Sequence, residues 1–150
     1  MTNKLRTIHI PTSNAAPYAL NDCVGGIQSI VGTAFDSGNT ILSRITVQDR
    51  DKEAKALDIH FFSEGPLTSS IIDNQQYNMS FADLKREIAL VQIQASDFKT
   101  HVSGATASAA VEIPIVNVSN QGMMFMAVES KSPNLTYSSA QSLAIQLIFK

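Results

Sequence analysis

Alternation of apolar and polar residues with period two dominates this chain, and that period predicts strands rather than helices. From Thr40 to Gln48, Ile41, Ser43, Ile45 and Val47 fall on one face, and Leu42, Arg44, Thr46 and Gln48 on the other. Leu57, Ile59 and Phe61 alternate with Asp58, His60 and Phe62. Between these two runs, Asp49 to Lys55 is a stretch of mixed charge that reads as the solvated tip of an antiparallel hairpin. Leu143, Ile145, Leu147 and Phe149 repeat the alternation near the end. Further strands are predicted over Leu5–Ile10 (closed by Pro11), Ile27–Ala34, Ile88–Ala95, Ala109–Val118 and Met123–Glu129. Pro114 cannot donate to a ladder, so it makes its run an edge strand or a bulged one.

Punctuation separates these runs. Gly25-Gly26 marks a bend or a close backbone approach, and Asp36-Ser-Gly-Asn39 has the residues of a hairpin turn. Asn120-Gln-Gly122 and Ser132-Pro-Asn134 predict two more turns. Periodicity disappears from Ser63 to Met79, a long connection in which Ile71-Ile72 is expected to tuck into the core. Ser80-Phe-Ala-Asp83 has capping-box spacing and predicts a short helix over Phe81–Arg86. Eight strands, one short helix, no repeat and no linker predict a single all-β domain over residues 1–150. An antiparallel β-sandwich of the jelly-roll kind is the expected architecture.

Composition agrees with strands. The 150 residues include 17 Ser, 10 Thr, 9 Asn and 9 Gln, while only 16% are charged, below the ~25% of typical domains. A net charge of -2 leaves no basic footprint for nucleic acid, and no apolar run is long enough to span a membrane as a helix. Residues 1–6 do not read as a signal peptide. The lone Cys23 excludes an intrachain disulfide.

Candidate chemistry is sparse. His9, His60 and His101 show no ligand spacing, although Asp58-Ile-His60 puts two donors on one strand face. A zinc site needs three or four converging donors, so no metal, catalytic or cofactor site is expected. Asp49, Asp51 and Glu53 alternate as at the start of a calcium loop, but the central Gly and the Glu at position twelve are missing. Cys23 has no histidine near it in sequence and reads as a small buried residue. No nucleophile elbow or phosphate-binding glycine loop occurs. Asn78, Asn117 and Asn134 head sequons that read as chance matches. Met123-Met-Phe-Met126 fits either a strand buried on both faces, the favoured reading, or part of a subunit interface. Ala107–Ala110 could be a flexible loop that orders on a partner.

Tyr18-x-x-x-Asp22-x-Val24-Gly25-Gly26 resembles the opening of a family of tailed-bacteriophage virion proteins. Ile41 to Asp49, then Ala56 to Phe62 followed by Pro66, extend the likeness. So do Asp73-Asn74, Ser80 to Leu84, Leu135-Thr-Tyr137 and Leu143 to Phe149, although the apolar Ile71-Ile72 departs from the family's polar connection. The resemblance implies a capsid decoration or cement protein, not an enzyme. It would be made in the host cytoplasm and bound to the major capsid protein on the virion surface. The low charge adds the expectation of a homo-oligomer, dimer or trimer, with Met123–Met126 and Gly65–Met79 as contact segments. The other class left open is a carbohydrate- or host-surface-binding sandwich of a fibre or tail. The absence of Trp and the presence of only three Tyr disfavour it.

Overall fold

The computed structural model describes residues 3–31, 40–64, 69, 71–115 and 123–150. Nine strands are formed among them: β1 (Lys4–Ile10), β2 (Cys23–Val31), β3 (Thr40–Asp49), β4 (Leu57–Phe62), β5 (Glu87–Ile93), β6 (Lys99–His101), β7 (Gly104–Ile115), β8 (Met123–Ser130) and β9 (Leu143–Phe149). One sheet has the order β1-β9-β3-β7-β6 and the other β2-β8-β4-β5, with every pairing antiparallel. Setting aside the three-residue β6, the orders are first-last-third-seventh facing second-eighth-fourth-fifth. That is the double-Greek-key interleaving of a jelly roll. Leu42, Ile45, Val47, Ile145 and Leu147 of one sheet join Ile59, Phe61, Val91, Met124, Met126 and Val128 of the other in one core cluster.

The all-β sandwich is as expected, and its connectivity corrects several local expectations. The predicted β3–β4 hairpin does not form: β3 pairs with β7 and β9, and β4 with β5 and β8. Residues 50–56 therefore cross from one sheet to the other. Asp49 nucleates that crossing from a buried position, accepting from the amides of Asp51 at 3.0 Å and Ala54 at 2.8 Å. Asp51 accepts from the amide and hydroxyl of Ser138 at 2.6 and 2.8 Å, and Glu53 accepts from the Thr136 hydroxyl at 3.1 Å. The supposed solvated tip is thus tied down by its acids. A β2–β3 hairpin is excluded too, because those strands lie in different sheets.

Alternation along β3 breaks at Ser43/Arg44, where the register shifts against both neighbours. The bulge lets Leu42 and Ile45 both turn inward, so Ile41 and Ser43 do not share the buried face of Ile45. Pro114 sits where β7 has only β3 as partner, the edge position its missing donor requires. Ala107–Ala110 is ladder rather than a free loop. Met124 and Met126 are fully buried between β2 and β4, whereas Met123 and Phe125, on the opposite face, are half-buried. Ile72 is 49% exposed and does not enter the core. The helix α1 (Phe81–Leu84) is one turn, shorter than expected, and the Ser80 hydroxyl accepts from the Asp83 amide as its spacing predicts. The Asp36–Asn39 and Asn120–Gly122 turns, Asn117, the ends of two predicted strands (32–34 and 116–118), and Gly65, Pro66 and Ser70 of the long connection lie outside the described residues.

Candidate functional site

β4 is buried along its whole length, which a strand in the middle of a sheet achieves only when both faces are covered. Leu57, Ile59 and Phe61 enter the core, so Asp58, His60 and Phe62 project to the opposite face. The register sets Asp58 beside Glu129 of β8 and Gln92 of β5, and His60 beside Ala127 and Leu90. The cover comes from the long connection after β4. Residues 74–77 run along the start of β2: the Asn74 amide donates to Cys23 O, the Cys23 amide to Gln75 O and the Tyr77 amide to Asn21 O. This lays the Tyr77 ring on the His60 imidazole, with centroids 4.5 Å apart and planes 19° from parallel.

Beneath that roof, His60 is held between two carboxylates. Its Nδ1 lies 2.5 Å from Glu87 Oε1 and its Nε2 3.0 Å from Glu129 Oε2. Lys131 Nζ donates to Glu129 Oε1 at 3.1 Å and to Asn21 Oδ1 at 2.6 Å. Burial alone would push the His60 pKa down, but the hydrogen bonds to Glu129 and Glu87 outweigh it and leave the pKa raised. Burial acts upward on Glu129, and the His60 and Lys131 bonds reverse it, holding this carboxyl below its ordinary value. Asp58 completes the group: it is 7% exposed, and its ligand-type oxygen, His60 nitrogen and Glu129 oxygen lie within 4.8 Å of one another.

The pair Asp58 and His60 shares a face, as the sequence indicates. Glu87, Glu129, Lys131 and Tyr77 were not legible as their partners. An acid closing the apolar run Met123–Val128 is the one signal that marks Glu129 beforehand. The other candidates stay apart. His9 and His101 are exposed and line a surface cleft with Arg50 and Gln141. Cys23 is fully buried on β2, and desolvation pushes its thiol up to about 12, so it is a protonated thiol at neutral pH. Asn78 and Asn134 are exposed, Asn134 in a left-handed turn with φ 57°.

No family model matches the chain, and no curated protein does. Among solved structures it is similar to a chain of tomato aspermy virus, at 13% identity and a TM-score of 0.46, over 99% of this chain and 75% of that one. It is also similar to a chain of the Kashmir bee virus empty particle at acidic pH: 10% identity, TM-score 0.34, 97% of this chain and 86% of that one. A chain of the native Kashmir bee virus virion at neutral pH gives 12% identity and a TM-score of 0.34, over 97% of this chain and 67% of that one.

Proposed function

We propose that this chain is a virion structural protein, a decoration or cement protein that binds the outside of a bacteriophage head shell and stabilises it. The observation that carries this reading is the strand order β1-β9-β3-β7 facing β2-β8-β4-β5, a jelly roll. Viral capsid domains use that architecture, as do lectins and cupins. The tailed-phage resemblance favours the virion reading among these, and three of its residues meet here. Tyr18 is buried, its hydroxyl donates to Asp73 Oδ1 at 2.7 Å, and the Gly25 amide donates to the same oxygen at 2.7 Å. A non-catalytic role is part of the proposal and fits the buried, protonated Cys23 thiol.

The surface offers a shell-facing patch. Within ten residues of sequence, Phe81 and Leu84 of α1 and Leu90 of the edge strand β5 are 75%, 43% and 47% exposed, large apolar side chains open to a partner. An interface formed only on the assembled shell stabilises that shell by mass action. Co-sedimentation with empty heads of the encoding phage tests this. Saturable binding at a fixed ratio to shell subunits, weakened by Phe81→Ser with Leu84→Ser, is expected, together with heads that melt at a higher temperature when decorated. Heads that neither bind the chain nor change their melting temperature rule the proposal out. Retention on immobilised glycans instead would favour the carbohydrate-binding alternative.

A further inference from the structure

We propose that Asp58, His60 and Glu129 form a binding site for a divalent transition-metal ion of the zinc class, with Glu87 positioning the histidine. Neighbouring strands of one sheet fix the donors. Asp58 and Glu129 are register partners on β4 and β8, and His60 lies two residues along β4 on the same face. Their ligand atoms lie within 4.8 Å of one another, and His60 Nε2 and Glu129 Oε2 are 3.0 Å apart. Tetrahedral zinc, with bonds of ~2.0–2.2 Å to nitrogen and oxygen, needs ligand atoms ~3.3 Å apart. An ion therefore fits the His60–Glu129 pair with a shift of a few tenths of an ångström, and the Asp58 oxygen must close on it by at most about 1.5 Å.

Three further features support a cation. The first is the partner of the other imidazole nitrogen. A metal-binding histidine characteristically donates its second N–H to a carboxylate, and His60 Nδ1 meets Glu87 Oε1 in that way. That bond fixes the ring with Nε2 3.0 Å from Glu129 Oε2, where a bound ion would take the place of the proton they share. The second is charge. Asp58, Glu87 and Glu129 face the Lys131 ammonium and the His60 ring, and an ion that displaces the Nε2 proton leaves an excess of two negative charges, which its own two positive charges balance. Lys131 engages Glu129 Oε1, so Oε2, which now bonds His60 Nε2, is the oxygen that would take the ion. The third is Tyr77. Its hydroxyl is buried with no hydrogen-bond partner among the described residues, and its ring is stacked on His60. An ion held by three protein donors keeps a fourth position for water, and such a water gives a buried phenol something to bond. An imidazole among only three donors suits zinc better than calcium or magnesium, which prefer six or more oxygens including water.

The experiment titrates ZnCl2 into the chelator-treated full chain by calorimetry and follows the melting temperature in parallel. One ion per chain, with a Kd below about 10 μM and a higher melting temperature, is expected. His60→Asn and Asp58→Asn should abolish this binding, Glu87→Gln should weaken it about 10–100-fold, and His9→Asn with His101→Asn should leave it unchanged. Should His60→Asn fail to fold, CoCl2 absorption of the unaltered chain decides the coordination: intense visible bands of a four-coordinate N/O site are expected. No stoichiometric uptake by about 100 μM zinc, six-coordinate cobalt bands, or binding that survives Asp58→Asn overturns the site.

Discussion

Asp73 shows how much one side chain can organise. Its Oδ1 accepts from the Tyr18 hydroxyl and the Gly25 amide, tying the 71–79 connection to the segment before β2 and to β2 itself. Gly25 sits at φ 82°, and a Cβ there would come within 2.4 Å of Ile10 Cγ2, a fully buried side chain with no room to withdraw. Gly26 also has positive φ, at 72°, but its nearest neighbour would be 3.7 Å away. Gly25→Ala should therefore cost about 2 kcal/mol or more, from strain plus overlap. Gly26→Ala should cost only the left-handed strain of about 1 kcal/mol. Urea unfolding of the two variants checks the order, and equal losses would show that the Ile10 contact relaxes. Cys23 gives a second residue-scale test. Buried and with its pKa raised to about 12, its thiol should resist iodoacetamide at pH 8 in the native chain and react once unfolded. Rapid native labelling would show that the 74–77 cover opens.

Among the elements, the 50–56 crossing decides whether β3 and β4 form a hairpin or a sandwich, and its acids hold it in place. Asp51 is the one whose protonation can be followed. Slight desolvation pushes its carboxyl up, but the bonds from the Ser138 amide, Ser142 and the Ser138 hydroxyl outweigh this and hold it below its ordinary value. A carboxyl with a depressed folded-state pKa adds stability that is fully present above the unfolded value of ~3.9. That contribution is lost as pH falls through the folded value. Asp51→Asn should thus melt lower than the native chain near pH 6, and the gap should narrow as pH falls below ~3.9 and through the folded value. A gap independent of pH would mean that the charge is irrelevant and only the hydrogen-bond geometry counts. The same crossing explains what the sequence could and could not convey. The alternation of β4 and β9 depends on nearest neighbours and was readable. The pairing of β3 with β7 and β9 depends on segments about 60–100 residues away, which no local pattern encodes. The bulge at Ser43/Arg44 was hidden because Ile41 and Leu42 are equally apolar, so either phase satisfied the pattern. The site shows the same divide: Asp58 and His60 are adjacent in the pattern, whereas Glu129 reaches them only through the β4–β8 register.

For the whole molecule, β1 pairs with β9 along its full length, so strands from opposite ends of the chain lie side by side in the first sheet. The second sheet ends on β5, whose outer neighbour position is unfilled among the described residues; Leu90 on that strand, and Phe81 and Leu84 on the helix just before it in sequence, expose their apolar surfaces. Lys85 lies over the Phe81 ring, 5.2 Å from its centroid, a weak contact that leaves most of the ring in water. An exposed sheet edge with apolar side chains favours association, and closed symmetry is its usual outcome. With Met124 and Met126 in the core, self-association of a dimer or trimer should run through this edge and Ile72, 49% exposed on the connection beside it in sequence. Sedimentation equilibrium at about 1–100 μM should show a dimer or trimer, and Phe81→Ser with Leu84→Ser should return it to monomer without lowering the melting temperature of the fold by more than a few degrees. A chain that stays monomeric up to about 100 μM has any self-association weaker than about -5.5 kcal/mol. Its apolar edge would then be left for the shell alone.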